Sequence, residues 1–366
     1  MFGNEHRIAN HEKHEIENHI EETAFLSLLS WIWRRSLLKN ARDLGERRII
    51  KIIQDQLEPM TKIAVPFGDD VSALEIGKDN VAVLKTDMLI GKTDVPMGMS
   101  LWQAARKAVV MNVSDFAAKG VQPIAALVSL GLPNHLSQNE IVEIGSGLNA
   151  GARQYGAHVV GGDTGESSDL VISVSLFGLA KKNGLTLRKG AEQGDILAVT
   201  GAFGRTSAGL KILLSHCKTP KNVASVLVDS VMMPQARLKE GLALARTGAL
   251  SAAIDSSDGL AWSLHEMARA SNVGMQIDSL PIATEVERFA SMNRLSSSEL
   301  ALYGGEEYEL VLAVRPKLWN SAKDAVSEVG GKLLAIGKIT KSKGISLKSK
   351  GRSSRIEPRG YEHFRT

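Results

Sequence analysis

The sequence predicts a two-domain protein of mixed α/β class, and three observations lead there. The chain has 366 residues, more than one hydrophobic core usually organises, so two domains are the default. Strand-like apolar runs alternate with helix-period runs through most of its length. A turn-rich KKNG, Lys181 to Gly184, interrupts that alternation near the middle.

Residues 1 to 42 form a leader unlike the rest. His6, His11, His14 and His19 lie among Glu and Asn, followed by the apolar patch Phe25 to Trp33 and then Arg34 and Arg35. His11 and His14 share a helix face if the segment is helical, yet no well-placed third metal ligand stands out, and a solvated segment is the expected state. The apolar patch is well short of the roughly 20 residues a spanning helix needs. An acidic, His-rich stretch precedes it where a signal peptide carries basic residues. An upstream start assigned in error would account for the leader equally well.

From Leu44 the text becomes regular. Val81 to Lys85, Ile124 to Leu130, His158 to Val160 and Leu170 to Leu179 read as strands; Leu101 to Ala118 and Gln138 to Tyr155 read as helices. This half ends near Lys182. The second half opens with a strand at Ile196 to Thr200, followed by helical patterns to Arg246, a strand at Ala252 to Ile254 and a helix at Leu260 to Ala270. Further strands fit Val273 to Ile277, Tyr308 to Val314 and Lys332 to Ile339. Lys341 to Arg359 holds seven Lys or Arg and one Glu. It lacks the interleaved aromatics of a base-stacking surface, so it reads as a solvated hairpin and tail rather than a nucleic-acid patch.

Composition narrows the class. Lys plus Arg at 44 against Asp plus Glu at 40 leaves a net charge of +4, too small to demand a nucleic-acid or membrane partner. Cys217 is the only cysteine, which removes a disulfide framework and a thiolate metal cage and suits a cytoplasmic setting.

The acids are arranged as a series of stations. Asp69 and Asp70 lie in PFGDDVSAL, Asp87 ends VAVLKTD, Asp115 lies in NVSDFAAKG, and Asp163 follows a strand in VVGGDTG. Asp255 and Asp258 lie in IDSSDGL, and Glu306 and Glu307 follow LYGG. Most sit where a strand hands over to a loop, often beside Gly, Ser or Thr, so the backbone can approach a ligand closely. Carboxylates gathered at one place repel one another unless cations hold them. An oxygen-only set without Cys or His points to Mg²⁺, and through it to phosphate. Each station also has a plain reading: GDD and GGD are common turns, Asp258 or Ser257 suits a helix cap, and GGEE suits a strand turn. Asp115 among Val113, Phe116 and Ala117 is the hardest to place on a surface, and Asn112 beside it suggests a buried polar network. TGAFGRTSAG, Thr200 to Gly209, lacks the Gly-Lys-Ser/Thr of a Walker loop and the G-x-G-x-x-G spacing, and reads as a tight strand-to-helix turn. No kinase catalytic loop or G-x-S-x-G appears either.

In order, GDD, TD, KAVVMNVSDFAAKG, GGDTG, LRKGAEQGD, TGAFG, IDSSDGL and GGEEYEL make the chain from Leu44 to Phe364 resemble the thiamine-monophosphate kinases. These belong to the superfamily of aminoimidazole ribonucleotide synthetase, selenophosphate synthetase and the hydrogenase-maturation dehydratase. TDVPMGM after KTDMLIGK makes the resemblance most like the archaeal members. It implies an α+β (mixed α/β) two-domain synthetase-like fold. Residues 43 to 182 would be an N-terminal ATP- and Mg-binding domain that dimerises, and residues 183 to 366 a C-terminal α/β domain, with 1 to 42 the leader. The implied reaction is ATP-dependent phosphorylation of thiamine monophosphate to thiamine diphosphate by direct in-line transfer, with several Mg²⁺ ions.

The resemblance carries metal binding onto Asp70, Thr86, Asp87, Asp115, Asp163, Asp255 and Asp258. Gly162, Arg188 and Ser257 match nucleotide contacts, and Glu306 matches a substrate contact. Three positions depart from the bacterial pattern: Lys85 replaces a metal-binding Ser, Asp94 stands where a substrate-contacting His is common, and Pro358 where a Trp contacts substrate. An ammonium at Lys85 cannot ligate a metal. A phosphate acceptor with a second pKa of about 6 needs no strong general base, so no catalytic His, Ser or Cys is expected. Two rivals stay open: a sister enzyme using ATP and Mg²⁺ on another acceptor, and a non-catalytic nucleotide-binding homologue. A homodimer is expected, with no nucleic-acid or membrane partner.

Overall fold

A computed structural model describes residues 40–215, 217–349 and 351–364. The reading of the leader, including its four histidines, lies outside the described residues up to position 39. The chain divides into two compact units, Met1–Pro59 with Glu362–Thr366, and Met60–Tyr361. Among the described residues, no helix is long and apolar enough to cross a membrane.

The smaller unit contributes α1 (Ala41–Leu44) and α2 (Glu46–Gln54). Asn40 and Asp43 close a reciprocal capping box at the start of α1, satisfying N–H groups that a helix end leaves without partners. Gly45 separates the two helices at φ 71°, a backbone region that glycine enters without steric cost.

The larger unit holds two sheets. The first has β1 (Ile63–Val65), β2 (Ser72–Glu75), β3 (Asn80–Ile90), β4 (Pro123–Leu132), β5 (His158–Glu166) and β6 (Val171–Lys181), in the order β1-β2-β3-β6-β4-β5. Its pairs are antiparallel except β4 with β5. After β3 the chain makes the short turn α3 (Gly91–Asp94) and then α4 (Leu101–Lys119); α5 (Gln138–Gln154) follows β4. Ser100 with Gln103, and Ser137 with Glu140, form capping boxes at the starts of α4 and α5. Gly120 closes α4 in the left-handed conformation.

The helix α4 is buried almost throughout, from Ala104 to Ala118 with few exceptions. Its sequence accordingly lacks an apolar stripe and a polar stripe; it is apolar on most sides, the mark of a helix packed on more than one face. On one side it meets α5, where Gly147 and Gly151 lie against the backbone carbonyls of Trp102 and Arg106. On another it meets the second half of the chain, where Gly241 lies against Ala117.

The second sheet has β7 (Ile196–Val199), β8 (Leu250–Asp255), β9 (Gly274–Ile277), β10 (Leu310–Val314), β11 (Leu334–Thr340), β12 (Gly344–Ser349) and β13 (Arg352–Arg355), in the order β13-β12-β9-β11-β7-β10-β8. Only β12 with β9 is parallel. Between β7 and β8 run α6 (Arg205–Ser215), α7 (Lys221–Met232) and α8 (Leu238–Thr247); α9 (Leu260–Ser271), α10 (Thr284–Asn293), α11 (Ser297–Tyr303) and α12 (Trp319–Glu328) complete the set. The strand β10 is buried along its whole length, matching the unbroken apolar run LVLAV. One core joins α4 and the first sheet to Ala198, Ala253, Leu310 and Leu312 of the second. A further core lies on the other face of the second sheet, beneath α9.

The strands exceed their predicted lengths at the acid stations. Asp87 does not end its strand: β3 continues to Ile90, fully paired with β6 from Asn80 to Ile90. Asp163 likewise lies within β5, which runs on to Glu166 beside β4. In β5 the polar, glycine-containing text GGDTGE reads as loop, and in β3 the polar Lys85–Asp87 interrupts the apolar run; in both the neighbouring strand supplies the backbone partners that keep the chain extended. The basic C-terminal segment forms the hairpin β12–β13.

Candidate active site

Helix α4 brings the first acid to the centre. Asp115 is 5% exposed and lies among apolar neighbours of the same helix. Asp70, in the turn before β2, and Asp255, the last residue of β8, meet it there. One carboxylate oxygen from each of Asp70, Asp115 and Asp255 lies within 4.8 Å of the others. The Ser114 hydroxyl donates to Asp255 Oδ2 at 2.7 Å, so the helix both carries one acid and orients another. Such a set of buried oxygen donors could hold a hard divalent cation such as Mg²⁺.

Three cations are set into this group. Lys119 is fully buried, with Nζ 2.6 Å from Asp69 Oδ1 and 2.8 Å from Asp70 Oδ2, and it donates to the Ala253 carbonyl at 2.9 Å. Arg188 pairs with Asp70 through its guanidinium, and its backbone N–H donates to Asp69 Oδ2 at 2.9 Å. Lys85 Nζ lies 3.0 Å from Asp115 Oδ2 and 3.2 Å from Asp87 Oδ1.

The electrostatics follow from burial and this pairing. Burial raises the Asp70 carboxyl, but Lys119 and Arg188 more than offset it, and the group ends below the ordinary carboxylate value. Asp255 is pushed up to about 7 by burial and by the Asp70 charge, against the opposing Ser114 hydrogen bond. Asp115 is raised well above the usual range, first by burial and then by Asp255, Asp87 and Asp70, despite Lys85. Carboxylates gathered this closely ionise together only where positive charge balances them.

A second group lies beside the first. Lys107, also on α4 and 1% exposed, has Nζ 2.5 Å from Glu306 Oε1 and donates to the Asp94 carbonyl at 2.8 Å. It thereby ties the turn after β3 to the GGEEYEL segment. That segment is bent: Glu306 and Tyr308 take left-handed backbones at φ 63° and 53°, uncommon for residues with side chains and frequent at functional sites. Their backbone N–H groups donate to the carbonyls of Ser257 and Ser256. Burial first, then the charges of Glu306, Asp87, Asp255 and Asp94, raise the Tyr308 phenol well above its ordinary value; the two groups therefore share one electrostatic neighbourhood.

Not every predicted residue joins them. Thr86 projects to the opposite face of β3 from Lys85 and Asp87, as the strand's alternation requires. Its hydroxyl donates to the Val174 carbonyl at 3.2 Å and accepts from Ser175 at 3.0 Å. Asp163 lies on that same exposed face, in the cross-strand row Met88, Ser173, Ser129, Asp163. Gly162 is pressed against β4, where a Cβ would come within 1.8 Å of the Val128 carbonyl oxygen. Ser257 is exposed and Asp258 half-buried at the turn into α9. Gly259, not either side chain, occupies the cap position of that helix, and no side chain caps it. The Asp258 carbonyl accepts from the Tyr361 N–H at 3.0 Å, which brings the segment bearing the exposed Pro358 toward the IDSSDGL turn. Asn112 makes no extended network; its amide donates to Ala108 of its own helix.

Lys107, Lys119 and Ser114 were absent from the sequence-based set. The signal was available: lysines in a helix with no polar stripe must find partners inside the fold, because an unpaired buried ammonium is too costly.

Comparison with known proteins matches the segments that carry the two sheets separately. Residues 68–180 match the AIR synthase related protein, N-terminal domain, and residues 192–350 match the AIR synthase related protein, C-terminal domain. A thiamine-monophosphate kinase of Nitrosopumilus maritimus is 34% identical over 88% of this chain and 99% of its own. That of Bacillus subtilis is 35% identical over 83% of this chain and 95% of its own. Among solved structures, AaThiL complexed with AMPPCP and TMP superposes with a TM-score of 0.78 at 28% identity, covering 89% of this chain and 99% of that one.

Proposed function

Because this chain belongs to the AIR synthase-related family and, within it, to the thiamine-monophosphate kinases, we propose that it transfers phosphate at its buried acid cluster. The reaction is ATP-dependent phosphorylation of thiamine monophosphate to thiamine diphosphate. The observation that carries the assignment of the site is the convergence of Asp70, Asp115 and Asp255, from three separate segments, on one small volume.

The chemistry asks for charge management rather than a strong base. The acceptor is a phosphate monoester, whose second pKa of about 6 leaves it anionic near neutral pH. Repulsion between it and ATP opposes reaction. Mg²⁺ held by Asp70, Asp115 and Asp255, with Asp87 and Asp258 as further candidate ligands, would neutralise that repulsion and align the oxygens for in-line transfer; Thr86 and Asp163, on the opposite face of the first sheet, are candidates only for an ion outside this cluster. The remaining work belongs to side chains whose positions are fixed. Lys119 clamps Asp69 and Asp70 in place, and Ser114 holds Asp255 in orientation. Arg188, anchored on Asp70, is placed to steady nucleotide phosphates. Gly162 and Ser257 are the further nucleotide contacts. Glu306, with Asp94 and Pro358, faces the acceptor, and Lys107 fixes the distance between Glu306 and Asp94. Because the acceptor brings its own nucleophilic oxygen, no phosphoenzyme forms.

The active form is a homodimer through the first sheet, in the cytoplasm. Supporting the dimer is the face of that sheet opposite α4, where Leu84, Met88 and Leu127 are exposed around Thr86; apolar patches on a sheet face mark association surfaces. The domain limits remain 43–182 and 183–366, with 1–42 as a leader.

The test is an acceptor panel: purified protein with Mg-ATP and thiamine monophosphate, thiamine, or other phosphate monoesters, following ADP and product together. Turnover on thiamine monophosphate supports the reading. Turnover only on another acceptor makes the chain a sister enzyme, and ATP binding without turnover makes it a nucleotide-binding protein.

A further inference from the structure

We infer that the Lys85 ammonium is a built-in cation filling one cation position of the acid cluster, so that the chain binds one divalent ion fewer than its carboxylates would otherwise hold. The inference rests on the metal role proposed for those carboxylates. Lys85 and Asp87 are two residues apart on β3 and therefore project to one face. Between them and α4, Lys85 Nζ lies 3.0 Å from Asp115 Oδ2 and 3.2 Å from Asp87 Oδ1, with the side chain only 18% exposed. An ammonium that joins carboxylates from two elements does there what a bridging ion does.

The other cations are engaged elsewhere. Lys119 serves Asp69, Asp70 and the Ala253 carbonyl, and Arg188 serves Asp70 and Asp69. Asp255 receives the Ser114 hydroxyl. Five carboxylates, Asp69, Asp70, Asp87, Asp115 and Asp255, thus face three fixed positive charges. With all five ionised, two negative charges are left, the charge of a single divalent ion. A second ion at the Asp87–Asp115 pair would meet the ammonium at contact distance, and like charges that close repel strongly in a partly dry site. The ammonium cannot step aside into coordination, because it has donors and no lone pair.

The experiment counts ions. Full-length wild type, Lys85→Ser, Lys85→Gln and Lys85→Arg are titrated with MnCl2 alone, and free Mn²⁺ is followed by its electron paramagnetic resonance signal. Lys85→Ser and Lys85→Gln are expected to bind one more Mn²⁺ per chain than wild type, with Lys85→Arg unchanged. Should the serine variant fold poorly, the glutamine variant keeps the side-chain length and carries the same expectation. Equal counts in wild type and the neutral variants overturn the inference. The kinase reading is decided separately, by turnover of the wild type on thiamine monophosphate, which does not enter the count.

Discussion

Replacing Lys119 with Met removes the ammonium that ties Asp69 and Asp70 to the Ala253 carbonyl of β8. Its Nζ is 2.6 Å from Asp69, 2.8 Å from Asp70 and 2.9 Å from the Ala253 carbonyl, and the side chain is fully buried. Methionine matches its length, so the change leaves no large cavity; what it leaves is charge. Asp70 keeps Arg188, but Asp69 loses its cation and Ala253 a donor. Breaking a buried pair from one side costs about 3–5 kcal/mol. For a chain of this size that corresponds to a fall of roughly 5–10 °C in melting temperature, read by circular dichroism. Asp69→Asn in the same background should recover part of the loss, by about 1–3 kcal/mol in a double-mutant cycle. A Lys119→Met protein melting within about 1 °C of wild type would refute the reasoning, since a buried cation cannot hold two carboxylates and be dispensable.

Three further outcomes are expected. Asp258→Asn should abolish phosphoryl transfer in a protein that still folds, read by circular dichroism, because the amide keeps the size and shape of the half-buried side chain; surviving activity would remove it from the metal set. Lys107→Met should raise KM for the acceptor about tenfold with KM for ATP unchanged, the effect of losing a charge-assisted hydrogen bond at Glu306. Glu307 supplies a pH test: burial raises its carboxyl from 4.5 to about 8, against the N–H groups of Gly204 and Thr206 that it accepts. The folded state therefore binds more protons between those values, and this contribution to stability is full below about 4.5 and lost as pH rises toward 8. Melting temperature compared between wild type and Glu307→Gln from about pH 5 to 8 should show a decline in wild type that the variant lacks.

Much of the site was legible because acids are expensive to gather. The stations at Asp70, Asp115 and Asp255 stood out as carboxylates beside apolar text, and the fold does unite those three. The helix Leu101–Lys119 was legible within a residue, and its lack of a polar stripe is explained by its position between two packed surfaces. What sequence pattern could not give was facing. Thr86 and Asp87 are neighbours in the chain and lie on opposite sides of β3, and which of those sides faces α4 is set by the packing of the sheet, not by the strand's own pattern. Partner choice was hidden for the same reason: Lys107 and Lys119 lie on one helix, yet one serves Glu306 and the other Asp70. Those assignments depend on which distant segment the fold delivers to each turn of the helix.

The most direct test is a single-turnover reaction of wild-type protein with γ-labelled ATP, Mg²⁺ and thiamine monophosphate. Label is expected in thiamine diphosphate one for one with ADP, with none on the protein at any time. Label released as inorganic phosphate, retained on the chain, or passed only to a different acceptor would contradict it.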